Sequence, residues 1–265
     1  MISRKRSIIL GSMNSFEKNI GKCLNDNGIA IKFLTEIPVE FKKVIDQYKI
    51  DSVIINAINK RKNILKELEI ISKNEIKKVV LLENGCDLYL NSKNKLPYSV
   101  YKPVITKSLI CKKMLETEKT VNQDFSEHVI FRVSDVYGPS VNYGLIYDLL
   151  TRRKIVLQNC LHDFIYEGDL IHAIEIALRE EVSGLFDIAS GKSISLKDNL
   201  IVLINMLRRK HIIVKWKKCS KDFECNCENF KFYKWEPLVN LEMGLKASLR
   251  HLNHHKQLLI GSYHG

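Results

Sequence analysis

Short apolar runs alternate with amphipathic stretches through the first 133 residues of this 265-residue chain, and few architectures accept that rhythm. Residues 7–10, 29–34, 51–56, 77–82 and 129–133 are runs rich in Ile, Val and Leu, the length and composition of buried strands. Between them apolar residues recur at helical spacing. Phe16, Ile20, Cys23 and Leu24 share one face of a helix predicted over 16–25, and Phe41, Val44, Ile45 and Tyr48 one face of a helix over 39–48. Further helices are predicted over 63–72 and roughly 100–118. Gly28 stands where the first helix must stop in a left-handed residue. Strands alternating with helices predict an α/β fold, a Rossmann-like doubly wound parallel sheet whose ligands lie at the carboxyl ends of the strands.

The second half is less regular. Helices are predicted over 143–151, 169–179, 195–208 (capped by Ser195) and 241–252, with strands over 185–189 and 211–214. No internal repeat or flexible linker separates the halves. The expected organisation is a sheet domain over 1–139 and a smaller C-terminal substrate lobe over 140–265, intertwined with the first.

Charge and thiols narrow the function classes. Forty-two Lys and Arg against 30 Asp and Glu leave +12, enough to attract phosphorylated small molecules or an acidic partner. The basic residues are scattered, and the tightest runs, Arg4-Lys5-Arg6 and Lys215-Trp216-Lys217-Lys218, are short, so no nucleic-acid partner is expected. No apolar run approaches the length of about 20 residues that spans a bilayer, and Ile8-Ile9-Leu10 is too short for a signal-peptide core. No membrane association and a cytoplasmic location follow as expectations. Seven cysteines without a disulfide-scaffold spacing fit reduced thiols. Cys219, Cys225 and Cys227 lie close enough to hold zinc with a fourth ligand, but without a second pair no metal is expected.

Four segments carry a resemblance. They are 131–139 (Phe-Arg-Val-Ser-Asp-Val-Tyr-Gly-Pro), 162–170 (His-Asp-Phe-Ile-Tyr-Glu-Gly-Asp-Leu), 186–192 (Phe-Asp-Ile-Ala-Ser-Gly-Lys), and Trp235-Glu236-Pro237 with Leu241-Glu242-Met243-Gly244-Leu245. In this order they resemble the NAD-dependent epimerase/dehydratase family, the extended short-chain dehydrogenases that act on nucleotide sugars. The short path from Leu34 to Asp51, with no strand between, is most similar to the compact dTDP-4-dehydrorhamnose reductase branch. The resemblance implies NAD or NADP as cofactor, a nucleotide-sugar substrate and a homodimer.

It also implies a Tyr-x-x-x-Lys pair, which Tyr98 and Lys102 supply. On a helix, residues four apart share a face, so the Lys102 ammonium would favour the Tyr98 phenolate and prepare it for proton exchange. Pro103 argues back, because it disfavours helical geometry at Lys102; a helix starting at Pro103 would separate the pair. The family's catalytic Ser or Thr falls near Glu83-Asn84-Gly85-Cys86, where Asn84 is the candidate hydrogen-bond donor in its place.

The nucleotide end departs further. Family glycines let backbone amides approach a pyrophosphate at the first helix N-terminus. Here the corresponding positions are Gly11, Asn14 and Glu17, with Asn56 and Ala57 at the end of the third strand, and Lys102 on the cofactor ribose as the resemblance implies, completing the expected cofactor contacts. A carboxylate about 5 Å from a phosphate charge, at an effective dielectric near 20, costs about 3 kcal/mol, or a hundredfold in affinity. Thr35 and Glu36 stand where an acidic ribose ligand is expected, which leaves NAD and NADP undistinguished. In the substrate lobe Asp135 replaces a substrate-facing Asn, and His162 replaces an Arg that faces the diphosphate. Arg132 is expected to buttress its strand, Tyr137 and Tyr166 to pack, and Asp169 to cap its helix. Two readings follow: an NAD(P)-dependent nucleotide-sugar epimerase, dehydratase or reductase working through Tyr98 and Lys102, or a catalytically silent relative serving as a binding or regulatory subunit.

Overall fold

A computed structural model of the protein describes residues 5–59, 63–152, 154–198 and 213–261, with side chains through His254. Strands β1 (Arg6–Leu10), β2 (Ala30–Leu34), β3 (Ser52–Asn56), β4 (Lys78–Asn84), β5 (Glu127–Val133) and β10 (Gly184–Ile188) form one sheet in the order β10-β5-β4-β3-β1-β2. Every neighbouring pair is parallel. The connection from β1 through α1 (Ser15–Asp26) leads to one side of β1, and that from β2 through α2 (Phe41–Tyr48) crosses to the other. This reversal opens a crevice at the carboxyl ends of β1 and β3, where open α/β sheets bind ligands.

Because both faces are covered, the strands are mostly apolar. Ile9, Ile54, Val80 and Phe131 point to the side of α1 and α7 (Glu167–Arg179). Their neighbours Ile8, Val53, Val79 and Ile130 point to the side of α2, α3 (Ile64–Ser72) and α5 (Leu109–Asp124). Asn27 ends α1 and Gly28 follows it at φ +85°, the left-handed turn expected there.

The helix expected over 100–118 is displaced. Residues 99–102 make one turn, closed by the Lys102 amide on the Ser99 carbonyl (3.1 Å), and Pro103 ends it. The helix begins only after Ser108, whose hydroxyl accepts from the Cys111 amide (3.4 Å). A short helix α4 (Gly85–Leu90), absent from the sequence reading, springs directly from β4.

In the second half, β6 (Asp135–Tyr137) pairs with β9 (Phe164–Tyr166), β7 (Lys154–Gln158) with β12 (Ile213–Lys217), and β8 (Leu161–His162) with β11 (Ile194–Ser195). With α6 (Gly144–Thr151), α8 (Glu228–Lys231) and α9 (Leu241–Gly261) these form a lobe with its own core, in which Ile146, Leu149, Ile155, Leu157 and Leu245 are buried. Strand β10 and helix α7 instead return to the main sheet. The helix predicted over 195–208 is entered at Leu196, and residues 199–212 lie outside those described, as does the start of the strand predicted over 211–214. The C-terminal helix, expected to end at 252, continues to Gly261. Among the described residues no helix is long and apolar enough to cross a membrane.

Candidate functional site

At the crevice the loop from β1 to α1 is closed by the protein itself. Asn14 caps α1, its side-chain oxygen accepting from the Glu17 amide (2.9 Å), and the Glu17 carboxylate returns to the Asn14 amide (3.1 Å), a reciprocal capping box. The other carboxylate oxygen accepts from the Asn56 amide side chain (2.8 Å), and Ser12 donates at 3.3 Å. Glu17 is 2% exposed. A Cβ at Gly11 would collide with this carboxylate. Gly11 therefore makes room for Glu17, in the place where the sequence reading expects a pyrophosphate.

A helix N-terminus favours an anion through its dipole and free amides, and Glu17 is that anion. Of the other cofactor candidates, Asn56 is spent on Glu17 and on the Ile58 amide (3.3 Å), and the Ala57 amide donates to the Leu82 carbonyl (2.8 Å). Of the residues expected to hold a dinucleotide at this loop, Asn14, Glu17 and Asn56 are bonded to one another in the space that Gly11 leaves. In this arrangement they do not fit the group.

The expected Tyr-Lys pair is not on a helix. Leu96-Pro97 is a cis bond, and Tyr98 follows it into the core with no exposure. Its ring stacks on Tyr89 at 5.0 Å and lies against Phe223 at 5.5 Å, and its hydroxyl donates to the Asp222 carbonyl (3.4 Å). Burial, with the nearby Asp222 charge, pushes the phenol up to about 12, away from phenolate. Lys102 turns to the Pro97 carbonyl (3.2 Å). The cation over the Tyr98 ring is Lys221, 5.0 Å from its centroid, a residue the sequence reading missed. Asn84 caps α4 by accepting from the Asp87 amide (2.8 Å), so its oxygen serves the backbone. Pro103 is the physical reason for the difference: it denies Lys102 the helix that would carry the pair.

Behind Tyr98 lies a polar network invisible in the sequence. Tyr89 donates to Asp187 (2.8 Å) and receives from Arg132 (3.0 Å), while Asp187 accepts from the Val100 amide (2.7 Å) and so anchors the Tyr98 loop. Arg132 buttresses its strand as expected, through two bonds to Glu118 (2.6 and 2.7 Å).

In the lobe, His162 and Asp135 do meet, Nδ1 to carboxylate at 3.9 Å, with the imidazole stacked on Phe164 at 5.7 Å. The His162 Nε2 is buried without a partner among the described residues. Tyr137 packs against Gly244 and Tyr166, as expected. Asp169 corrects the reading: it sits inside α7, and its carboxylate takes the amides of Leu238 and Val239 (both 3.1 Å), so it fastens the 235–239 segment instead of capping. Asp163, fully buried, accepts from the Ser190 amide and hydroxyl (2.9 and 2.6 Å) and the Gly191 amide (3.1 Å).

Burial raises Asp163 to about 6 despite these donors. The folded state then holds the proton more tightly than the unfolded chain, so this group's stabilising contribution is present at low pH and lost as pH rises through 6. Between pH 7.5 and 5 it is expected to add about 1 kcal/mol of stability. Urea unfolding of the natural protein and Asp163→Asn at both pH values checks this; an equal pH response in the two excludes Asp163 as the source.

The thiols also differ from expectation. Cys160 and Cys219 form a disulfide, where reduced thiols were expected, while Cys225 and Cys227 are buried and free. A pairing across 59 residues leaves no mark in local spacing. Among the described residues the one group of metal-capable atoms within 4.8 Å of each other is Cys160, Cys219 and Asp222, with its two sulfurs already joined.

No family model and no curated protein sequence matches this chain. Solved structures do. A UDP-N-acetylglucosamine 4-epimerase from Methanobrevibacter ruminantium M1 superposes with a TM-score of 0.79 at 15% identity, covering 96% of this chain and 100% of its own. The UDP-glucose 4-epimerase of Thermotoga maritima gives 0.78 at 16%, over 95% and 99%. That of Thermus thermophilus, solved with NAD, gives 0.76 at 15%, over 94% and 99%. The Rossmann-like α/β fold anticipated from the motifs is the fold these structures share with this chain.

Proposed function

We propose that this chain is a catalytically silent relative of NAD-dependent nucleotide-sugar enzymes, acting as a binding or regulatory subunit. One observation carries the reading: the Glu17 carboxylate lies in the loop where a dinucleotide's pyrophosphate would sit, held by Asn14, Asn56 and Ser12. Displacing it would break those bonds and leave a negative charge beside the incoming phosphates. The burial of Tyr98 against Phe223 and the turning of Lys102 to a backbone carbonyl support the same reading. The lobe keeps what a binding module needs, with His162 and Asp135 paired beside Phe164.

The test is titration of the natural protein, Glu17→Gln and Glu17→Gly with NADH and NADPH, followed by cofactor fluorescence. The natural protein is expected not to bind at concentrations up to about 1 mM, which corresponds to less than about 4 kcal/mol of binding free energy. Glu17→Gly, which removes both charge and bulk, is expected to bind at least about a hundredfold more tightly. Glu17→Gln keeps the bulk and should gain less. Micromolar binding by the natural protein sinks the silent reading.

A second reading, an NAD(P)-dependent nucleotide-sugar oxidoreductase or epimerase, is favoured by the survival of Tyr98 and Lys102 together. It requires Glu17 to leave the loop and the Tyr98 phenol to lose its cover. Turnover of a nucleotide sugar by the natural protein, abolished in Tyr98→Phe, would establish it.

A further inference from the structure

Tyr98, stacked on Tyr89, is also covered by a strap of chain, residues 218–227, between β12 and α8. The strap runs alongside Tyr98 as a bridge partner: the Tyr98 amide donates to the Glu224 carbonyl (2.9 Å), and the Asn226 amide to the Tyr98 carbonyl (2.9 Å). Phe223 lies on its ring, and Lys221 reaches past it to the carbonyls of Tyr89 and Ser92 (3.0 and 2.8 Å). On its other side the strap faces a cavity of about 730 Å³, whose wall includes Glu224, Cys225, Asn226 and Cys227. The strap thus borders both Tyr98 and this cavity.

Its leading end is fastened to the turn between β7 and β8. The Leu161 amide donates to Asp222 (2.8 Å), the Phe223 amide to the Leu161 carbonyl (3.0 Å), and Ser220 to Gln158 (2.7 Å). Across the same gap lies the Cys160–Cys219 disulfide. Cys160 is buried while Cys219 is partly exposed, which makes Cys219 the more accessible end of the bond. We propose that this disulfide is a redox latch, which when oxidised holds the 218–227 strap over Tyr98 and when reduced lets the strap lift and join the cavity to the Tyr98 phenol. Among the described residues no other disulfide holds the strap; its remaining ties are hydrogen bonds of modest net strength and the burial of Phe223, Cys225 and Cys227 in the core.

The reductant is a dithiol, either a protein dithiol or a small one. Its thiolate attacks the accessible Cys219 sulfur, forming a mixed disulfide and expelling the Cys160 thiolate, which takes up a proton. The second thiol then displaces Cys219, so two electrons and two protons pass to the protein and the dithiol leaves as its cyclic disulfide. The inference goes beyond the proposed function, because the Glu17 closure concerns another loop and stands whichever state the strap is in.

Alkylation with mass readout, and amide hydrogen exchange with and without dithiothreitol, test it. Protein purified without reductant and unfolded in alkylating agent is expected to carry five alkyl groups, and seven after reduction. In the folded protein, reduction is expected to speed exchange of the Phe223 and Asn226 amides at least tenfold, while the amides of β1, β3 and β4 keep their protection. Cys219→Ser should show the fast strap exchange with or without reductant. If that variant does not fold, the reduced natural protein supplies the same comparison, with the sheet amides as internal control. Seven free thiols before reduction overturn the latch, as does strap protection unchanged by reduction. Neither result depends on cofactor binding, so failure here leaves the Glu17 reading standing.

Discussion

Arg132→Met is expected to lower the free energy of unfolding by about 3–5 kcal/mol, the usual cost of removing one partner from a buried ion pair. Arg132 makes two bonds to Glu118 with both side chains almost sealed from water, 5% and 9% exposed, which distinguishes this pair from the exposed Lys–Glu pairs on the helices. Next to it Glu83 is fully buried, and burial together with Glu118 drives its carboxyl well above the usual range. Losing the guanidinium leaves the Glu118 carboxylate and the Tyr89 hydroxyl without their shared donor, beside the buried Glu83 carboxyl. The double variant Arg132→Met, Glu118→Leu should recover much of the loss, since an apolar pair replaces a stranded charge. Urea unfolding of the natural protein, the single and the double variant at pH 7.5 measures both effects, and a loss below about 1 kcal/mol would mean that water screens the pair.

Trp235→Ala is expected to cost a similar 3–5 kcal/mol and to lower the melting temperature by roughly 10 °C. The indole is 1% exposed, packs edge-on to Phe230 at 5.6 Å, and donates its N–H to the Asp169 carbonyl (2.9 Å). Truncation opens a large cavity where the lobe meets α7, and it strips a buried carbonyl of its partner. Trp235→Phe should lose only about 1–2 kcal/mol, since most of the packing survives and one hydrogen bond is gone. Thermal unfolding followed by circular dichroism separates the two; equal losses would put the whole effect on the hydrogen bond.

The same two residues show which parts of the molecule could be read from its sequence. Apolar periodicity marks strands and helices that bury themselves in a sheet, so β1 to β5 and α1 to α3 were legible. The motif residues were legible too, and most turn out to bind one another: Asp163 ties Ser190 and Gly191, Glu167 ties Ser140, and Asp169 ties Leu238 and Val239. They specify how lobe and sheet dock, so the resemblance these segments carry is one of fold. Glu17 was legible as a misfit in a glycine position, but its bond to Asn56, 39 residues away, was not. Lys221, Phe223 and the Cys160–Cys219 link escaped for the same reason, since each acts only once the chain has folded back. The Tyr98–Lys102 expectation failed locally, where Pro103 outweighed the pattern.

The strand order also bears on how the protein is made. Strand β5 ends at Val133, but its outer neighbour β10 ends only at Ile188, with most of the second lobe's small strands in between. A nascent chain emerging at about 5–20 residues per second leaves the open edge of β5 unpaired for roughly 3–10 s. Through that interval Val129, Phe131 and Val133 stand at a bare strand edge, the arrangement most prone to recruit a strand from another chain. Yield of folded protein should therefore depend on translation speed across 134–188 more than on the stability of the finished fold.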